Sequence, residues 1–315
     1  MSPIEIILYL AGGLIMLFIG AEGLIRSSSN IAIKIGITPL VVGLTVVAFG
    51  TSAPELVVSL KAAIMGNSSI ALGNIVGSNI ANIALILGVA ALIRPLDVHA
   101  NVIRRDIPIM IVISVLLVLF LVDGELGLID GLIFVVGLII YIIINVMLAL
   151  RENNSEVDLE FEEGLKSRQG VPLSIILMVA GLGLLVFGAN LFVQSAVAIS
   201  KIFNVSDAVI GLTIVAIGTS LPELITSIVA SLKKEADIAI GNVVGSNVFN
   251  ILGILGITAI IIPISSAGIN YVDLGVMLVS AVILLPLSKT GFSISRLEGG
   301  ILLLGYLIYM YYLIP

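Results

Sequence analysis

The chain has 315 residues, 59% of them hydrophobic and only 11% charged, with a mean hydropathy of +1.28. Soluble domains carry about 25% charged residues, so a water-soluble globule is excluded and an integral membrane protein is expected. There is no cysteine, which excludes disulfides, thiolate metal sites and thiol catalysis; the net charge of −6 says little, because six acids sit between Glu152 and Glu163.

A helix crosses a bilayer with about 17–25 apolar residues. Ten such stretches can be drawn, at about 4–25, 38–62, 69–93, 106–122, 127–150, 172–200, 207–232, 237–262, 271–288 and 297–314. The opening MSPIEIILYLAGGLIMLFIGAEGL has no basic leader and carries Glu5, so it reads as the first membrane helix rather than a cleaved signal. His99, the one histidine, falls between the third and fourth stretches beside charged residues, as a solvated loop histidine does. The long polar interruption, residues 151–171, is a solvated linker: its acids cannot build a core, and EF-hand spacing is absent.

Lys and Arg fix the expected orientation. With loops assigned alternately, one set holds 12 of the 14 basic residues and the other only Lys61 and Lys201. The first set is then cytoplasmic, with both termini outside and 151–171 inside. The expected fold is an all-α membrane protein of ten transmembrane helices, with residues 1–150 and 172–315 as two five-helix repeats. Five is odd, so the second repeat enters the membrane inverted, an architecture typical of secondary transporters.

The duplication is written in the sequence. GLTVVAFGTSAPEL at 43–56 returns as GLTIVAIGTSLPEL at 211–224, and GNIVGSNIANI from Gly73 returns as GNVVGSNVFNI from Gly241. Every matched pair from Gly20/Gly188 to Gly88/Gly256 is 168 residues apart. Each copy places a carboxylate, Glu55 or Glu223, in an apolar stretch, which is costly and marks a functional site. Pro54 removes a helical N–H and crowds the carbonyl of Gly50, so the second helix should kink or break there. Thr51, Ser52 and Glu55 project to one side at spacings of four and three, and Gly218, Thr219, Ser220, Pro222 and Glu223 repeat the set. The second motif adds Ser78 and Asn82 on one helical face, with Ser246 and Asn250 as partners. Gly73/Gly77 and Gly241/Gly245 form small-xxx-small pairs that let helices approach closely.

All these donors are hard oxygens, which suit Ca²⁺, Na⁺ and Mg²⁺ over zinc or copper. Ca²⁺ accepts about 6–8 oxygens in flexible geometry, whereas Mg²⁺ holds its waters more tightly. Two carboxylates carry −2, and leaving both bare in a low-dielectric interior costs several kcal/mol per charge. One pocket with alternative loads, and a penalty for changing sides empty, is the physical root of exchange.

At these motifs the chain resembles the sodium/calcium exchangers of the cation/Ca²⁺ antiporter superfamily, over the whole ten-helix layout. The resemblance implies Ca²⁺ contacts from Glu55, Glu223 and the carbonyls of Thr51 and Thr219. It implies Na⁺ sites using Ser52, Ser78, Ser220, Ser246 and the carbonyls of Ala48 and Ala216, with Asn82 and Asn250 at the centre. Helices one and six, around Gly20–Glu22 and Gly188–Asn190, would be a gating pair sliding past helices two, three, seven and eight. Asn250 stands where K⁺-dependent relatives carry aspartate, which argues against K⁺ co-transport. The H⁺/Ca²⁺ branch has a glutamate after the GN pair; Val76 and Val244 followed by Gly-Ser-Asn favour Na⁺ coupling. The family's large cytosolic regulatory domains have no counterpart in a linker of about twenty residues. Glu22 has no acidic mate, since Asn190 takes its place, and reads as a helix-end carboxylate near headgroups.

The expected function is therefore electrogenic Na⁺/Ca²⁺ antiport by alternating access, extruding Ca²⁺. H⁺/Ca²⁺ exchange through Glu55 and Glu223 is the alternative within transport, and a cation channel the alternative outside it. Enzymatic chemistry is not expected, since no histidine or lysine lies near the motifs. No cofactor and no nucleic-acid partner is expected; the partners are the bilayer and the transported Ca²⁺ and Na⁺. The sequence leaves the oligomeric state open.

Overall fold

In lipid each backbone N–H and C=O must be satisfied within its own segment, so long apolar stretches fold as helices. The computed structural model of the chain describes residues 2–35, 38–152, 170–202, 216–267 and 269–313. Its helices are α1 Pro3–Ile35, α2 Pro39–Thr51, α3 Ala53–Ile64, α4 Ser68–Ile93, α5 Val102–Asp123 and α6 Leu128–Glu152 in the first copy. In the second they are α7 Val171–Ile202, α8 Ala216–Thr219, α9 Leu221–Leu232, α10 Ala236–Ile261, α11 Tyr271–Lys289 and α12 Arg296–Leu313. Among the described residues, seven helices are long and apolar enough to cross a membrane, or eight if the bent pair α2–α3 is one span. The protein is a helical, multi-pass membrane protein. Residues 207–215 of the expected span 207–232, and residues 153–169 of the linker 151–171, lie outside the described residues.

Two layers follow from burial. In α4 and α10 the most apolar windows are 78% and 83% buried; in α5, α6, α7 and α11 the figures are only 22–39%. The first pair forms the inner layer with the broken helices, and the others show apolar side chains to the outside.

Three helix crossings depend on glycine. A Cβ on Gly13 would meet the Gly188 carbonyl at 2.8 Å, and one on Gly20 the Gly181 carbonyl at 2.8 Å, so α1 and α7 touch backbone to backbone. Gly88 and Gly299 seat α4 on α12, and Gly131 and Gly256 seat α6 on α10, each Cβ falling 2.8–3.3 Å from the other carbonyl. Offset by 168, each of these contacts maps onto another, so small residues build the crossings twice.

Short strands tie the loops. β1 Leu96–Asp97 pairs antiparallel with β4 Ser293–Ile294, and β2 Glu125–Leu126 with β3 Ile264–Ser265. His99 is 65% exposed, with Nε2 3.3 Å from an Asp237 carboxylate oxygen.

Two sequence expectations change. The second helix breaks at Ser52 (φ −81°, ψ 7°), not at Pro54, and α2 and α3 meet at 44°. Proline sits in the first turn of α3, where no N–H is needed; it starts a helix rather than bending one. Ser220 (φ −88°, ψ 8°) repeats the break. Glu22, expected at a helix end, lies well inside α1, which runs on to Ile35.

Candidate ion-binding site

The two breaks put Ser52 and Ser220 in the sparsely populated bridge region, where many active-site residues sit. Each hydroxyl reaches across to the other copy: Ser52 Oγ donates to Glu223 Oε1 at 2.9 Å, and Ser220 Oγ donates to Glu55 Oε1 at 3.0 Å. Both carboxylates are 1% exposed. Ser78 Oγ lies 3.1 Å from Ser220 Oγ. A hydroxyl has one proton, so Ser220, donating to Glu55, takes its bond from Ser78.

The second motif is crossed in the same way. Asn82 Nδ2 donates to Asn247 Oδ1 at 3.2 Å, and Asn250 Nδ2 to Asn79 Oδ1 at 2.9 Å. These amide groups are thereby anchored, while their own carbonyl oxygens have no hydrogen-bond partner. Both asparagines lie where α4 and α10 widen into π-type turns, Ala81–Leu87 and Phe249–Leu255. Such bulges occur at functional sites. A regular α-helix was expected through these positions, so the face carrying Ser78 and Asn82 is reset by the bulge.

Eleven buried side-chain oxygens or nitrogens among the described residues lack a partner; five are Glu55 Oε2, Glu223 Oε2, Asn82 Oδ1, Asn250 Oδ1 and Ser246 Oγ. Buried polar atoms are otherwise almost always paired. All five belong to the two motifs, and all can accept a cation. No group of three or more His, Cys, Asp or Glu is gathered among the described residues. The donor set is thus two carboxylates with neutral oxygens.

The Thr51 and Thr219 hydroxyls reach asparagines of the other copy, beside the two carboxylates. Thr51 Oγ1 lies 3.1 Å from Asn242 Oδ1, and Thr219 Oγ1 donates to Asn74 Oδ1 at 3.4 Å. The Ala48 carbonyl accepts the Ser52 N–H at 3.0 Å and lies 3.3 Å from Thr51 Oγ1. Ala216 opens α8 at the edge of the described residues.

Asn74 and Asn242 escaped the sequence reading. Asn74 Nδ2 donates to the Glu55 carbonyl at 3.4 Å and Ser59 Oγ at 3.0 Å; Asn242 Nδ2 donates to the Glu223 carbonyl at 3.3 Å and Ser227 Oγ at 3.1 Å. Each fixes the backbone beside a carboxylate and holds the opposite copy's threonine. Asn79 and Asn247, which anchor the central amides, were also missed. The signal was available: all three asparagine pairs obey the 168-residue offset.

The family model described as sodium/calcium exchanger protein matches residues 5–147 and 173–314. The putative antiporter CaxA of Alkalimonas amylolytica is 39% identical over 307 residues, covering 96% of each chain. The sodium/calcium exchanger MaX1 of Methanosarcina acetivorans is 35% identical over 333 residues, covering 95% of each. A solved structure of the sodium-calcium exchanger NCX_Mj, soaked with Na⁺ and Ca²⁺, superposes with a TM-score of 0.85 at 32% identity, over 99% of both chains. With duplicated motifs, crossed carboxylates and full-length similarity in agreement, this chain belongs to the sodium/calcium exchanger family of membrane antiporters.

Proposed function

We propose that the protein exchanges Na⁺ for Ca²⁺ by alternating access, with five spans in each of two inverted repeats, residues 1–150 and 172–315, joined by a cytoplasmic linker. The observation that carries the reading is the orphaned second oxygen on each buried carboxylate. Two such charges without a cation would cost several kcal/mol each. Glu55 and Glu223 are the charged Ca²⁺ ligands, completed by the Thr51 and Thr219 carbonyls. Ser52, Ser220, Ser78, Ser246, Asn82, Asn250 and the carbonyls of Ala48 and Ala216 supply the neutral oxygens for Na⁺. The Ala48 carbonyl accepts the Ser52 N–H and keeps a second lone pair for an ion, since the single Thr51 hydroxyl proton has closer acceptors in the Val47 carbonyl and Asn242 Oδ1, each at 3.1 Å.

Ca²⁺ satisfies −2 in one step; Na⁺ does so with more than one ion. Either load lowers the desolvation cost of the closed site, and an empty site meets that cost in full. Flux is thereby coupled. The family's usual three Na⁺ for one Ca²⁺ leaves one uncompensated charge per cycle, so transport responds to voltage. The strand pairs support the orientation: β1–β4 joins two loops of the basic set, and β2–β3 two loops of the other. Both termini are then outside.

Reconstituted protein tests the reading. Ca²⁺ uptake into Na⁺-loaded vesicles should be fast, voltage-sensitive and independent of K⁺. Uptake that ignores Na⁺ and follows a pH gradient would replace it with H⁺/Ca²⁺ exchange. Ca²⁺ flux without trans-acceleration would indicate a channel.

A further inference from the structure

Glu22 is an acid that the ion site does not use and that the duplication does not repeat. It lies on α1 beside Ala21, Leu24 and Ile25, which are 0%, 0% and 1% exposed, so this turn is seated firmly on its neighbours. Its Oε1 accepts from Lys233 Nζ at 2.9 Å, and Arg26, one turn on, pairs with the same oxygen. The Glu22 and Lys233 side chains are 30% and 27% exposed. Lys233 ends α9 and begins the corner into α10. The bridge therefore fastens an outer helix to the corner joining the two second-copy helices that carry Glu223, Ser246 and Asn250.

The mirror of this triangle is neutral. Glu22, Arg26 and Lys233 map by 168 residues onto Asn190, Gln194 and Met65. Gln194 Nε2 donates to Asn190 Oδ1 at 2.6 Å, and Met65 is 67% exposed. The next corner residue departs as well. Gly66 (φ 78°) in the first copy is Lys234 (φ 68°) in the second, a side chain where glycine is the unstrained choice. The second corner thus carries two lysines, one at a backbone cost, where the first is uncharged.

We propose that Glu22–Lys233 is a one-sided latch: it holds α1 on the α9–α10 corner in the state described, and must break for the site to open on that side. Inverted repeats give two end states in which the copies exchange roles. In the exchanged state the equivalent contact would join Asn190 and Met65, which attract weakly. The ion pair therefore biases the two-state equilibrium toward the described state, and makes Glu22 and Lys233 positioning residues for transport rather than ion ligands. The lysine and arginine belong to the basic loop set, so the latch is cytoplasmic in the proposed orientation. This inference rests on the antiporter reading.

The test uses the whole, cysteine-free protein with spin labels at Ile19→Cys on α1 and Val57→Cys on α3, positions 53% and 64% exposed. Distance distributions are recorded with the native pair, with Glu22→Gln, with Lys233→Met and with both. Each single change should shift the ratio of the two populations about two- to fivefold away from the described state, the size that a partly exposed pair supports. The double variant should add little to either single one, since the interaction is already gone. Unchanged distributions in both single variants, or two fully additive shifts, would overturn the latch. Loss of Na⁺-driven flux in the unsubstituted protein would instead overturn the antiporter reading, and leaves the distance measurement standing.

Discussion

The two halves of the site share a sequence and differ in their surroundings. Leu221, Pro222 and Asn242 are buried, whereas their first-copy mates Ala53, Pro54 and Asn74 are partly exposed. A Cβ on Gly245 would strike the Leu44 carbonyl at 2.6 Å and one on Gly241 the Leu40 carbonyl at 2.9 Å, so α10 is pressed onto α2. At these positions, chemistry duplicated in sequence is therefore more deeply buried on the second-copy side than on the first. Identical motifs in unequal packing are what a two-state carrier requires: exchanging the packing exchanges the open side.

The hardest blow to this comparison falls on the acids. Glu55→Gln and Glu223→Gln should each cut Ca²⁺ flux at least about 100-fold, because removing one charge of a buried set leaves the load uncompensated. Isotope uptake in proteoliposomes checks it. Near-normal flux in either variant would show that the halves are not partners in one site.

Sidedness comes next. Cysteines at Ala53 and Leu221, equivalent positions outside the ligand set, should differ about tenfold or more in thiol-labelling rate, Ala53→Cys being faster, since buried sites react only after opening. Equal rates would mean that the protein in a membrane is not held in the state described.

Packing predicts a smaller effect. Gly241→Ala and Gly245→Ala should each destabilise by about 1–3 kcal/mol, the typical cost of overpacking. Thermal unfolding in detergent measures both, and unchanged stability would show that α10 is not pressed onto α2.

The smallest effect sharpens the comparison at the corners. Lys234→Gly should stabilise by about 1 kcal/mol through relief of the left-handed backbone, while Gly66→Ala should cost a similar amount. If Lys234→Gly is destabilising, the second-copy corner depends on its lysine side chain more than on its backbone.

Much of the site was legible in one dimension. Glu55, Glu223, the serines and the central asparagines stood out because ionisable and amide groups are expensive in an apolar stretch, and their repetition at one offset removed chance. Asn74 and Asn242 were overlooked because they follow glycines that already had a packing explanation. Their value lies in bonds to residues 15–19 and 145–191 positions away, which no local period encodes. The break was placed two residues late. Proline's missing N–H predicts a disruption, but whether it bends a helix or starts a new one depends on what receives the freed groups.

By itself the sequence determined the solvent, the duplication and the oxygen chemistry: apolar length, a constant offset and costly polar residues are properties of the chain read along its length. Only the tertiary structure decided that Ser52 bonds the carboxylate of the other copy, that reciprocal glycines form the crossings, and that Glu22 is tied to Lys233. Those contacts join residues more than a hundred positions apart. It also decided which half is more deeply buried at these positions. Two copies with the same motifs have nearly the same energy in either arrangement, so the choice rests with long-range packing and the few positions, such as Glu22 and Lys234, where the copies differ.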